Sequence, residues 1–429
     1  MTESDDWRSS VMPKVANEID HIIGSFSEAP REGNEIKVAS ANGGIGQMYA
    51  EGQILVLENH LDRVLEILEP GVERDPARVR RVIEGVVLLT LGAQSLAIDA
   101  IDAIDQQLGR GIATPDHVLT VAGADPSSCP ATEPQEVYYD IEPFPSVCHD
   151  GGGAGVLVYM ADTGLLRDTA TRSWLEGVRM ANPVEDVDPR EPLEGDPPQI
   201  PPYTGHGTFV AGVLRCIAPA TEIIVENAFA IAGSELESNL VPRLDAALGL
   251  GVDIFHLTIA CSSRNDLPLI AFQEWLRKVR QGDAVCIAAA GNSGFDRKTW
   301  PAAFPGVIGV GALGGDWRGR ATFSNFGSWV GVYAPGRDLI NAYATGTYTC
   351  HVFPYAGEVR RFYGMAKWSG TSFSTPIVSG LIASRMSRTG ENARQAAAAV
   401  LAEARSQAIP GVGPVLWPGG YSHPMPPLA

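Results

Sequence analysis

No stretch of the 429-residue chain approaches the ~18 uninterrupted apolar residues that a bilayer-spanning helix needs, so no membrane partner is expected. Basic residues are scarce: 32 Lys and Arg stand against 50 Asp and Glu, a formal net charge of -18. That balance disfavours adhesion to nucleic acid, which needs clustered cations facing phosphates. Cysteine is rare too, and Cys129, Cys148, Cys216, Cys261, Cys286 and Cys350 show no Cys-x-x-Cys or other metal-ligand spacing. The first forty residues lack a basic start, an apolar core and a small-residue cleavage site, so a cytoplasmic protein with reduced, mostly buried thiols is expected. Were the chain exported by another route, Cys129 and Cys148 would be the pair to test. No internal repeat is visible.

What the chain does have is material for a sizeable core, with 45% apolar and 19% charged residues over a length that suits one large α/β domain plus a smaller partner. Residues 1–47 end in the glycine-rich Ala41-Asn42-Gly43-Gly44 and read as a flexible lead-in. Residues 48–122 read as a small α+β unit of the order strand, helix, strand, helix, strand. Gln53 to Leu57 is its first strand, Leu61 to Leu68 its first helix and Val82 to Leu91 one apolar run. Ile98, Ile101, Ile104 and Leu108 mark a second helix closed by Gly109, and His117 to Val121 is a last strand. Asp99, Asp102 and Asp105 flank the second helix's apolar stripe as a solvated border rather than a metal site. Residues 123–151, rich in Pro, Ser and Gly, read as a linker. From 152 to 429, apolar strands alternate with helical patterns, which predicts a mostly parallel central sheet covered by helices on both faces.

Four segments of this second part carry chemistry. Val156 to Ala161 is apolar enough for a strand buried on both faces, and it delivers Asp162 at its carboxyl end, where α/β sheets place active sites. Such an Asp can also merely cap a turn. Gly205-His206-Gly207 puts an imidazole between two residues without side chains, which suits proton exchange near neutral pH as well as it suits a packed structural histidine. Ser372, in Gly370-Thr371-Ser372, opens a helix whose N–H groups favour developing negative charge, although a serine there can be a simple N-cap. Ala290-Gly291-Asn292 ends a small-residue strand with an amide that can donate to an oxyanion or shape a turn. The set discriminates where single motifs do not. A serine hydroxyl needs a base, and the base an orienting carboxylate, and the order Asp162, His206, Ser372 is one of the known orders for this device.

At these segments the chain resembles the subtilisin family of serine peptidases, over about residues 152 to 400. Asp162-Thr163-Gly164, Gly205-His206-Gly207-Thr208, Ala290-Gly291-Asn292 and Gly370-Thr371-Ser372 look like the family's aspartate, histidine, oxyanion and serine motifs. Trp300-Pro301-Ala302, Phe323-Ser324-Asn325-Phe326-Gly327 and Tyr333-Ala334-Pro335-Gly336 are similar to the family in order and spacing. The resemblance implies a serine endopeptidase that acts on polypeptides through an acyl-enzyme, with Asp162, His206, Ser372 and Asn292 catalytic. It implies substrate contact at Thr258, Ile259, Ala260, Ala290 and Gly291. Thr258-Ile259-Ala260 departs from the family's usual Ser-Leu-Gly, so the preferred side chain stays open.

Many members of that family carry a small α+β pro-domain whose tail lies in the cleft until it is cut, and residues 48–122 look similar; the rival reading is a permanent regulatory module. The acidic, Pro-rich stretch Asn182 to Pro202 is expected as a solvated surface loop, with a calcium loop or a lid as alternatives. No cofactor is expected, structural calcium is not indicated by the spacing, and the oligomeric state is open. A binding module on a degenerate scaffold is disfavoured because all four chemical positions hold competent residues. A serine hydrolase of another fold is disfavoured because Ser372 lacks a Gly-x-Ser-x-Gly elbow.

Overall fold

The computed structural model describes residues 13–29, 35–41, 44–71, 75–92, 95–121, 131–138, 141–167, 172–189, 193–229, 231–351 and 354–418. The first part holds α1 (Pro13–Glu28), β1 (Ile36–Ala41), β2 (Gly44–Leu57), α2 (Leu61–Leu68), β3 (Val79–Ile83), β4 (Val86–Thr90), α3 (Ala97–Leu108) and β5 (Ala113–Val121). The second begins with β6 (Leu157–Asp162), β7 (Val178–Met180), α4 (His206–Ile217), β8 (Glu222–Asn227), β9 (Ser234–Leu236) and α5 (Glu237–Ala247). It continues through β10 (Ile254–Leu257), β11 (Ile259–Ala260), α6 (Ile270–Val279), β12 (Val285–Ala289), β13 (Val307–Leu313) and β14 (Val332–Pro335). A hairpin of β15 (Leu339–Thr349) and β16 (Val359–Trp368) follows, then α7 (Thr371–Thr389) and α8 (Ala393–Ser406).

In the first part β2 is the centre of an antiparallel sheet, paired with β1, β4 and β5. Ile54 and Val56 alternate with Leu55 along β2, so the first two pack with α2 and α3 around Val64, Ile101 and Ile104, while Leu55 faces away. The single apolar run expected from Val82 to Leu91 is a hairpin instead, because Glu84-Gly85 turns the chain between β3 and β4. The flexible lead-in expected for residues 1–47 is corrected over 13–29 and 35–41. Ile19, Ile22 and Phe26 recur at helical spacing and bury one face of α1 against Ile36, Val38, Met48, Val118 and Leu236.

In the second part the parallel sheet runs β14-β13-β12-β10-β6-β8-β7. Alternate residues of each strand divide between the faces: Val158, Met160, Ile223, Val225 and Ile254 meet α4, α7 and α8, whereas Tyr159, Ala161, Ile224, Phe255 and Leu257 meet α5 and α6. The result is the expected three-layer α/β domain.

The second core also takes Leu55, Val82, Val86, Leu88, Leu119 and Val121, so the back of the N-terminal sheet lies on α5 and α6. Asp102 and Asp105 of α3 pair with Arg264, the Asp105 contact being 2.7 Å, so two of the three aspartates read as a solvated border face a cation of the larger unit.

The described part of the expected linker is built onto the hairpin. Gln135 exchanges two backbone hydrogen bonds with Lys367 of β16, at 2.8 and 2.9 Å, and Phe144 exchanges two with Ile340 of β15, at 2.8 and 3.0 Å. Ile340 and Lys367 are themselves register partners, so the two described pieces of the segment each add a single antiparallel bridge, one to either edge of the hairpin root. The carbonyl of Thr132 accepts from the Trp368 indole at 2.6 Å, and the carbonyl of Pro134 from Arg360 at 2.8 Å. Cys148, Cys216, Cys261, Cys286 and Cys350 are free thiols, and Cys129, the other half of the suggested pair, lies outside the described residues.

Candidate active site

Asp162 ends β6 next to the centre of the parallel sheet and is fully buried, so both its oxygens need partners. Oδ1 accepts from His206 Nδ1 at 2.7 Å and from the Thr163 amide at 2.7 Å, and Oδ2 accepts from the Thr258 hydroxyl. Burial pushes this carboxyl up, but the His206 charge and hydrogen bond, with those of Thr258 and Thr163, outweigh it and hold the group below the ordinary Asp value. Thr258, read from the sequence as a substrate contact, thus turns its side chain to the carboxylate.

His206 is the first residue of α4. The glycines around it are required by space: Gly205 sits at φ +84°, and a Cβ on Gly207 would overlap the carbonyl oxygen of Gly164. The buried imidazole packs edge-on against Trp368 at 5.7 Å and tilted against Phe373 at 5.4 Å. Phe373 is the neighbour of Ser372, so α4 and α7 bring base and serine to one place. His206 Nε2 and Ser372 Oγ are both buried, and neither has a hydrogen-bond partner. Apo sites are often loose at this contact and tighten with substrate.

Asn292 lies just beyond β12. Its Oδ1 accepts from the Thr371 amide at 2.8 Å and the Thr371 hydroxyl at 3.0 Å, and the same hydroxyl accepts from the Gly291 amide at 3.1 Å. The carbonyl end is thus held on the residue before Ser372, which leaves the amide nitrogen as the donor end of the same side chain. The Ala290 carbonyl is fixed by Thr299 Oγ1 at 2.6 Å and Asn325 Nδ2 at 2.9 Å, and Asn325 Oδ1 accepts from the Ser293 amide at 2.9 Å. Asn325 is the polar centre of the Phe323 to Gly327 motif.

Ile259 and Ala260 form β11, and they are not empty-handed. β5 of the N-terminal unit pairs antiparallel with them, Val121 opposite Ile259 and Thr120 opposite Ala260, and with β9 on its other side, Val118 opposite Leu236 and Thr120 opposite Ser234. The Val121 amide also donates to the Gly233 carbonyl at 2.9 Å. Leu119 is wholly buried within the core that includes Ile259 and Leu240.

The stretch Asn182 to Pro202, expected to be solvated, buries two of its carboxylates. Asp186 accepts from the amides of Asn227 at 2.8 Å and Asn182 at 2.5 Å, and Asp188 accepts through one oxygen from the Gly205 amide at 2.7 Å and the Thr163 hydroxyl at 2.8 Å. Composition hid Asp188, which belongs to no motif, and the sequence reading of Thr258 as a substrate contact missed its bond to Asp162. A signal did exist for Asp188 in the Asp-Val-Asp alternation, which puts Asp186 and Asp188 on one side of an extended segment.

A sequence model of the Subtilase family matches residues 153–412. Among curated proteins the chain is similar to a thermophilic serine proteinase of Bacillus sp. (strain AK1), 30% identical over 188 residues that cover 42% of this chain and 41% of that protein. It is similar to an intracellular serine protease of Paenibacillus polymyxa, 28% identical over 254 residues, with 56% and 69% covered. Among solved structures, fervidolysin from Fervidobacterium pennivorans, described as a keratinolytic enzyme related to subtilisin, superposes with a TM-score of 0.55 at 18% identity and covers 91% of this chain and 61% of that one. That likeness concerns the fold, and the chain spans under half the length of the Bacillus relative. With more than half of its length inside the family's match, the chain belongs to the subtilase family.

Proposed function

We propose that the chain is a serine endopeptidase in which Ser372 Oγ attacks the scissile carbonyl of a polypeptide. His206 Nε2 takes the serine proton and returns it to the leaving amine. Asp162 holds Nδ1–H and so fixes the tautomer and steadies the imidazolium. The Asn292 amide and the Ser372 backbone N–H, at the positive end of α7, receive the oxyanion, and water then releases the acyl group from Ser372. The observation that carries this reading is the buried hydrogen bond of 2.7 Å between His206 and Asp162, with the ring of the same imidazole packed against Phe373, the residue that follows Ser372. A fluorophosphonate probe tests it: labelling of Ser372 is expected, and a folded chain that resists the probe after its N-terminal unit has been displaced removes the reading.

The N-terminal unit restrains this activity by filling the groove with its own backbone. A peptide substrate gains affinity by adding a strand to a sheet edge, and β5 holds that place between β11 and β9. Incubating the parent chain beside a Ser372→Ala form tests the restraint. A cut between Val121 and Thr132 in the parent alone supports a removable pro-domain, and an uncut chain with full activity removes it.

A further inference from the structure

The endopeptidase mechanism uses one buried aspartate, but the structure sets a second beside it. Asp188 is 6% exposed and lies between the two chain segments that carry the acid-base pair. Its Oδ2 accepts from the Thr163 hydroxyl, next to Asp162, and from the Gly205 amide, next to His206. The Thr163 hydroxyl in turn accepts from the Gly207 amide at 3.1 Å, so of the amides on either side of His206 one is tied to Thr163 directly and the other, that of Gly205, through Asp188. The segment that delivers this carboxylate is itself pinned. The Asp188 amide donates to the Leu165 carbonyl at 2.8 Å, the Leu165 amide to the Asp186 carbonyl at 2.9 Å, and Asn227 Nδ2 to the Val187 carbonyl at 3.0 Å.

We propose that Asp188 is a positioning residue for catalysis: it joins the strand end bearing Asp162 to the helix start bearing His206, and its charge steadies the imidazolium that forms between them. The inference rests on the endopeptidase reading and concerns how that site is held. The ionisable groups that bear on the carboxyl are Asp162 from β6 and Tyr343 from β15, and His206 is reached through the amide of Gly205 before it. Burial first, with the like charge of Asp162, pushes Asp188 up to about 7, against the hydrogen bonds of Gly205 and Thr163. Its charge therefore appears in the pH range where His206 must act. Ionised, it strengthens both accepted bonds and favours a protonated imidazole; neutral, it keeps the geometry and gives up the charge.

Two substitutions made in the full chain separate these roles, read by fluorophosphonate inactivation across pH 5 to 9 once the N-terminal unit has been displaced. Asp188→Ala removes acceptor and charge, and is expected to lower the maximal inactivation rate about tenfold with the half-saturating probe concentration unchanged. Asp188→Asn keeps an acceptor oxygen and is expected to recover most of that rate, while the acid limb moves to lower pH by about half a unit, because the imidazolium loses a nearby anion. If either soluble variant keeps the parent's rate and acid limb and differs only in melting temperature, Asp188 is a structural group and the inference fails. Should Asp188→Ala not fold, an unshifted acid limb in Asp188→Asn overturns it alone. A parent chain that does not react with the probe even after its N-terminal unit has been displaced defeats the endopeptidase reading instead, and the two failures cannot be confused.

Discussion

The Thr258 hydroxyl donates to the one oxygen of Asp162 that His206 does not use, so the carboxylate is held from both sides. A buried anion left one bond short would be drawn toward protonation, and a protonated Asp162 no longer steadies an imidazolium.

Thr258→Val keeps the shape and deletes that donor. The expected result is a fall in kcat of about tenfold with KM nearly constant, since a hydrogen bond to a charged group is worth roughly 1.5–3 kcal/mol and only part of it bears on the reaction. Peptide hydrolysis by the variant, followed across pH, checks this, and an unchanged kcat refutes it.

Asn292→Ala removes the side-chain amide proposed to receive the oxyanion and the acceptor that Thr371 uses. A loss in kcat of roughly 10²–10³ is expected, with fluorophosphonate labelling of Ser372 slowed but still detectable. Active-site titration alongside turnover separates lost catalysis from lost fold.

Arg264→Ala should loosen the N-terminal unit, because Asp102 and Asp105, neighbours on one face of α3, then lose the cation they share. Rim ion pairs are worth about 0.2–1 kcal/mol, so a several-fold shorter lag before activity appears is expected, with the final rate unaltered. A lag equal to the parent's would show that the pairs do not limit release.

Asp116 gives the docking of that unit a pH dependence. It is buried on β5, where it accepts from the Ser238 amide and hydroxyl at the start of α5 and from Gln53, and burial pushes it up to about 7. A docked pKa above the free value of 3.8 means that the docked state holds its proton longer. Docking is thus strongest below about pH 4 and weakens as pH rises toward 7, by up to about 1.4 kcal/mol per unit crossed. In a Ser372→Ala background, melting temperature from pH 5 to 8 should fall more for the chain with Asp116 than for Asp116→Asn; parallel curves would contradict this.

The parallel sheet and the place of Asp162, His206 and Asn292 were legible because each sits in a short local pattern: an apolar strand with a polar end, glycines that leave room, small residues at a close approach. Ser372 was legible for the same reason. Asp188 was not, since a carboxylate in a Pro-rich acidic stretch looks solvated until Thr163 and Gly205 are seen to claim it. The passage of Gln135 and Phe144 along the hairpin was hidden more deeply. Ladder bonds are made by the backbone, and a composition rich in Pro and Ser describes side chains only. The helix around Ile19, Ile22 and Phe26 was lost among polar neighbours, although its spacing was readable.

The anchoring of Thr132, Pro134, Gln135 and Phe144 at the hairpin root gives the two products of any upstream scission unequal fates. The piece ending in β5 would be retained by side-chain packing and a few strand bonds, and could depart. The new amino terminus near Thr132 would stay moored to Lys367, Ile340 and the Trp368 indole, whose ring braces His206. Maturation by such a cut would therefore discard a guard without disturbing the buttress behind the base.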